Sequence, residues 1–287
     1  MYTFRFNPMF QQWVLLGEPI PNSLIIQAAH KIQPLLKDAP HMQAATYPRQ
    51  PFVLDPGITK RHEDELLYAP QPAVGEYELI LSTAPRTFFN WKPADWEEWF
   101  LVLTERFRAF HLNPHLHFVS VHLATKALLS AGSEHERVGD LIATSHPVAG
   151  TATPVSEELV TKLLERERLF VVYHDDHGAL YVPTAPLHHH EIWYLPRHEK
   201  GLDVLQLPER KAAARALSAL FTVLHEEFAE EHWQMVLHTP MAAAENSDHW
   251  WIQIYQDVPI ESSLPISPLP ERFTFLMRQL LAHKAVR

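Results

Sequence analysis

The stretch "HEIWYLPRHEKGLDVLQLPERKAAARALSALFTVLHEEFAEEHWQMVLH" (190–238) decides the fold. It opens on "HEIWYLP" (190–196), a short run of aromatic and branched residues with the length and punctuation of a strand. "PERKAAARALSALFTVLHEEFAEE" (208–231) follows, rich in helix formers and started by a proline. "WQMVLH" (233–238) and, after a loop, "HWWIQIYQ" (249–256) read as two further strands. Working outward, the same order occurs once before. Strand "EYELILST" (76–83) leads to "PADWEEWFLVLTERFRAF" (93–110), in which Trp96, Trp99, Phe100, Leu103 and Phe107 share one helical face. Strands "HFVSVHLA" (117–124) and "VGDLIAT" (138–144) close that unit.

Matching points lie at near-constant separation, 113 for Glu78 and Glu191, 116 for His122 and His238, and 113 for Val138 and Trp251. The spacing predicts a duplication of strand–helix–strand–strand units. The fold class is therefore α+β, with antiparallel sheets each backed by a long helix. Residues 1–74 form an N-terminal strand near 10–18 and a proline-rich wrapping arm, and 75–150 the first unit. Residues 151–287 hold a connecting helix (154–170, with Ser156 as its cap), a hairpin at 171–182, the second unit and a C-terminal helix.

Composition narrows the function. Lys and Arg number 24 against 34 Asp and Glu, for a formal charge of −10 without any basic run. Nucleic acid needs clustered cations, so it is excluded as the main partner. There is no cysteine, which removes disulfides and thiolate metal sites. Only 8 glycines stand beside 24 prolines, and no phosphate-loop or dinucleotide fingerprint occurs. No apolar stretch reaches the roughly 20 residues that span a bilayer, and the first residues lack the pattern of a signal peptide. A soluble, cytoplasmic protein without a membrane partner is expected.

The order of landmarks resembles the galactose-1-phosphate uridylyltransferase family of the histidine-triad superfamily. "FRFNPMFQQWVLL" (4–16) is similar to its opening R-x-N-P…W-V-L, and "GEYELILSTAPR" (75–86) to its G-x-H-E-V-I-V-E-S-P. "YVPTAPLHHHEIWYLPRHE" places Pro183, Glu191 and Pro196 on fixed positions. "LHTP…DHWWIQIY" follows the family's H-x-a-P…H-W-H, and the tail carries Glu261, Pro270, Glu271 and Arg278 in register. The resemblance implies the family's histidine-triad fold, a nucleotide or nucleotide-sugar ligand, and a homodimer. In the family, a histidine attacks the α-phosphate of a UDP-sugar to give a uridylyl-histidine.

The family's nucleophile loop A-G-A-S-x-x-H-P-H-x-Q-I-x-A meets "AGSEHERVGDLIAT" (131–144) here. Counting back from Ala143 puts Asp140 on the phosphate-binding Gln and Val138 on the nucleophile. Counting forward from His135 puts Arg137 there instead. Neither Val nor Arg can carry a nucleotide covalently. The resemblance also implies that the zinc sites are lost: "RQPFVLDPG" (49–57) has no cysteine, Gln253 and Tyr255 replace two of the second-half ligands, and only His238 remains. The first-half phosphate-binding Asn falls near Ala124.

The ligand-binding candidates are accordingly Gly132, Ser133, His135, Arg137, Asp140, His249, Gln253 and Glu261. Gly132, Ser133 and Arg137 supply donors, whereas Asp140 repels phosphate unless a cation intervenes. Any metal would draw on His135, His188, His190, His238 and His249. His188 and His190 share a face only if the segment is extended, and an exposed strand start is the plainer reading. "HDDH" (174–177) reads as a hairpin tip, and Trp193, Trp250 and Trp251 as packing residues. Three functions follow: a nucleotide or nucleotide-sugar binder without covalent chemistry, a divergent transferase using another acid or base such as His135 or His249, and a structural or regulatory subunit.

Overall fold

The computed structural model describes residues 3–7, 12–16, 31–34, 36–46, 71–72, 74–83, 87–124, 136–145, 157–197, 201–228, 232–240, 250–256 and 269–285. The strands and helices run in the order β1 (Thr3–Asn7), β2 (Gln12–Leu16), β3 (Lys31–Ile32), β4 (Met42–Thr46), β5 (Gln71–Pro72), β6 (Gly75–Ser82), α1 (Pro93–His111), β7 (Phe118–Ala124) and β8 (Glu136–Thr144). Then come α2 (Glu157–Arg166), β9 (Val171–His174), β10 (Gly178–Tyr181), β11 (His189–Pro196), α3 (Leu207–Glu227), β12 (Trp233–Pro240), β13 (Trp251–Gln256) and α4 (Pro270–Ala285).

Among the described residues ten strands make one antiparallel sheet, β3-β4-β6-β8-β7-β12-β13-β11-β10-β9, and β2-β1-β5 make a small second one. Its middle, β6-β8-β7 followed by β12-β13-β11, has the same internal order read from either end. The arm differs from the sequence reading, because its segment 42–46 is a strand of the main sheet, paired with β6. Ala44 and Ala45 are buried there, so this short apolar piece gains burial by extending the sheet.

Both long helices start in the same way. Pro93 sits in the first turn of α1, and the Lys92 amide donates to Asp95 Oδ2 at 2.8 Å. In α3 a proline again occupies the first turn, and the Gln206 amide donates to Glu209 Oε2 at 2.9 Å. Each arrangement satisfies an amide at the helix start and puts negative charge at the positive end of the helix dipole. The predicted face of α1 is buried, and Trp96 stacks on Phe221 of α3 with ring centroids 5.3 Å apart.

Side chains alternate between sheet faces, and the alternation is legible in the core. Val119, Val121 and Leu123, Met235 and Leu237, Ile252 and Ile254, and Ile192 and Tyr194 share one buried cluster with α1 and α3. Glu78 points to this face too and takes a bidentate ion pair from Arg106 of α1 at 2.6 and 2.7 Å. The intervening residues face the other way, onto what is called the second face below. At one end of that face α2 covers Tyr181, Leu195 and Trp251, with Val160 between them. The pairing of Glu78 with Glu191 by spacing needs correction here. The two side chains leave the sheet on opposite faces, since a one-residue offset in a strand reverses every side chain.

The connecting segment divides into α2 and a short 3-10 turn at Arg168–Phe170, while Pro154 and Ser156 lie outside the described residues. The expected hairpin forms from β9 and β10. Asp175 Oδ1 accepts from the amides of His177 and Gly178, which turns the chain at "HDDH" and assigns those residues a structural task. No helix among the described residues is long and apolar enough to cross a membrane.

Candidate functional site

The second face carries a polar row across the middle of the sheet. The register aligns Leu79, Asp140, His122, Val236, Gln253 and Trp193 on neighbouring strands, with Ser120 and His238 paired one step along. The row begins with a cluster of Tyr77, Arg137 and Asp140. Arg137 Nε donates to Asp140 Oδ1 at 2.9 Å and its Nη2 to Oδ2, while Tyr77 Oη donates to Asp140 Oδ1 at 2.9 Å. Arg137 Nη2 also lies 3.3 Å from the tyrosine oxygen. The guanidinium and carboxylate side chains are only 14% and 21% exposed, so their charges compensate each other on a largely covered patch.

A β-bulge brings these two residues together. Leu79 opposes Asp140 and Ile80 opposes Gly139, but Leu81 opposes Arg137, leaving Val138 as the extra residue. Without the bulge, residues 137 and 140 would leave the strand on opposite faces. Val138 is buried in the helix-side core. Gly139 fits the tight crossing beside it, because a Cβ there would stand 3.1 Å from the His122 carbonyl oxygen. Of the two alternatives left by the sequence, the residue on the second face is Arg137.

Next in the row, His122 Nε2 and Ser120 Oγ are 3.0 Å apart. Burial pushes the His122 imidazole below its ordinary value, and the nearby Asp140 carboxylate pulls it partly back. Beyond lies a chain of three side chains, Glu191, Gln253 and His238. Glu191, 1% exposed, accepts four hydrogen bonds: Leu187 N at 2.7 Å, His188 N at 3.0 Å, Trp193 Nε1 at 2.6 Å and Gln253 Nε2 at 2.7 Å. A carboxylate only accepts, so the Gln253 NH2 group must face it. The Gln253 carbonyl then faces His238 Nε2 at 3.1 Å and requires a proton on that nitrogen.

The neutral His238 ring therefore keeps its lone pair on Nδ1, which has no hydrogen-bond partner among the described residues. Burial pushes this histidine down to about 4, against the pull of the Gln253 hydrogen bond, with His122 nearby adding a further downward push. At neutral pH the row thus presents a buried, uncharged acceptor held in one tautomer. Trp251 stacks on the ring with centroids 4.4 Å apart and fixes its plane.

The structure brings Arg137, Asp140, Gln253 and His238 into this row. Gly132, Ser133, His135, His249 and Glu261 lie outside the described residues. The paired use of His188 and His190 needs correction. His190 has a left-handed backbone (φ 48°) and a register shift follows it, so the period of two is broken. His188 stacks on Tyr255, while His190 donates from Nδ1 to Gln256 Oε1 at 2.7 Å and packs against Phe273. Among the described residues no three His, Cys, Asp or Glu side chains stand close enough to hold a metal ion. Trp250 is core and Trp193 and Trp251 lie beneath α2, in keeping with packing.

Sequence reading missed Tyr77 and Ser120 and used His122 only as a landmark. The available signal was "FVSVHLA", where two polar residues alternate with apolar ones inside a buried strand.

No protein-family model matches the chain, and no curated protein matches its sequence. Solved structures do match its fold. A uridylyltransferase mutant superposes with a TM-score of 0.72 at 15% identity, covering 99% of both chains. An ADP-glucose phosphorylase from Arabidopsis thaliana, solved with bound ADP-glucose, gives 0.66 at 14% identity over 97% of this chain and 98% of its own. A GalT-like protein from the same plant gives 0.65 at 15% identity, over 97% and 99%. The chain has the fold of the uridylyltransferases, which the order of sequence landmarks had implied.

Proposed function

We propose that this chain is a galactose-1-phosphate uridylyltransferase-like protein that binds a nucleotide or nucleotide-sugar along the polar row and performs no covalent nucleotidyl transfer. One observation carries the reading: where the resemblance puts the nucleophile, Arg137 paired with Asp140 occupies the second face and Val138 is buried. An arginine stays protonated and a valine has no lone pair, so neither forms a nucleotidyl intermediate. Arg137 is also the cation that offsets Asp140, so this pair adds no net charge to the row. Gly132, Ser133, His135, His249 and Glu261 complete the ligand site in this reading, with 1–74 as arm and two duplicated units at 75–150 and 151–287. The protein is then a cytoplasmic homodimer.

A second reading, a divergent nucleotidyl- or phosphoryl-transfer enzyme with a different acid or base, is favoured by His238. Its Nδ1 lone pair and fixed tautomer supply a proton acceptor at neutral pH, a weak one because burial holds the ring down to about 4. Incubation with UDP-glucose followed by intact-mass measurement and calorimetry tests both. The expected result is saturable binding with no added mass. Gain of one UMP overturns the binding-only reading, turnover abolished by His238→Gln favours the second, and absence of any binding leaves a structural subunit.

A further inference from the structure

Beyond the end of the polar row, the edge strand β9 and the hairpin it forms with β10 border a cavity of about 480 Å³. Its floor is apolar, with Leu164, Val171, Val172 and Ala179, and three arginines reach its walls: Arg168, Arg197 and Arg278. Among the described residues no carboxylate lines it. We infer that this cavity is a second anion site, built for a phosphorylated small molecule.

Among the described residues two of these three charges are left uncompensated. The chain carries a formal charge of −10, so carboxylates to pair with arginines are abundant. Yet among the described residues neither Arg168 nor Arg197 makes a side-chain hydrogen bond or ion pair. Two neighbouring carboxylates are engaged elsewhere. Glu167 takes the Tyr181 hydroxyl, and Asp175 takes the Tyr173 hydroxyl and two backbone amides. Arg278, by contrast, is held in place. Its Nε donates to the Val171 carbonyl at 2.9 Å and its Nη2 to the Arg168 carbonyl at 2.8 Å. Uncharged carbonyls position this guanidinium without neutralising it.

Three guanidiniums around one cavity repel each other, and a multiply charged anion is the natural relief. Planar forks of N–H donors match the oxygens of a phosphoryl group, and at such a site each contact is charge-assisted. The apolar floor accommodates a carbon skeleton attached to the phosphate, and the volume suits a small metabolite. The site lies outside the polar row, so it is independent of the function proposed for that row.

Calorimetric titration of the full chain with inorganic pyrophosphate in magnesium-free buffer tests the assignment. Arg168 and Arg197 are exposed and their fold contacts are made by the backbone, so the double variant Arg168→Gln/Arg197→Gln should fold normally; an unchanged circular dichroism spectrum and melting temperature check this. The expected result is saturable binding to the wild-type chain, weakened at least tenfold in the double variant. Absence of saturable binding overturns the inference. So does binding that survives the double variant, or that Arg137→Gln abolishes, since the anion would then sit on the polar row.

Discussion

Replacing Glu191 by Gln isolates what the carboxylate contributes to the row, because the two side chains are nearly isosteric. Four donors converge on Glu191 between 2.6 and 3.0 Å, two of them backbone amides and two of them side chains. An amide offers one acceptor oxygen and one NH2 group, so two donors would face another donor in the variant. Each hydrogen bond to a charged group contributes about 1.5–3 kcal/mol, and losing two gives about 3–6 kcal/mol of destabilisation. For a chain of this size that corresponds to a fall in melting temperature of roughly 10 °C. Urea denaturation followed by tryptophan fluorescence reads the free energy, and the wild-type slope must be retained for the comparison to hold. Nitrogen NMR of the histidines should also show His238 losing its single tautomer, because Gln253 is no longer oriented. A loss below about 1 kcal/mol with the tautomer unchanged refutes the account of Glu191 as the anchor of the row.

His238 predicts a pH dependence. Its folded value near 4 lies below the ordinary 6.5, so between these limits the unfolded chain binds a proton that the folded chain does not. Its contribution is complete above pH 6.5 and falls away by about 3 kcal/mol as the pH drops toward 4; urea midpoints at pH 7.5 and 4.5 should differ less for His238→Gln than for wild type. Glu78→Ala strands the Arg106 guanidinium on the covered side of the sheet and should cost about 3–5 kcal/mol in chemical denaturation. Asp140→Gln frees Arg137 and should tighten UDP-glucose binding by about 1–2 kcal/mol, whereas Arg137→Gln should weaken it. Calorimetry giving equal affinity for both variants speaks against a phosphate near this pair.

Local chemistry written into the chain was readable without coordinates. Pro93 and the aromatic stripe of α1 specify a helix start and a buried face, and the polar tip HDDH (174–177) specifies a hairpin. The repeated order of elements and the chain of family-like landmarks were enough to identify the fold. They also revealed that no histidine stands at 137 or 138. The site itself depended on sheet register, which no local pattern fixes. Sequence spacing paired Glu78 with Glu191, but one binds a helix arginine and the other anchors the row on the reverse face. One bulge residue, Val138, decides that Arg137 meets Asp140, and one left-handed residue, His190, separates two histidines that an extended strand would have aligned. The contacts of Tyr77 with Asp140 and of Gln253 with Glu191 join residues more than sixty positions apart. Composition and periodicity act over a few residues, whereas such contacts exist only once strands distant in the sequence are hydrogen-bonded side by side, which is why tertiary structure alone decided them.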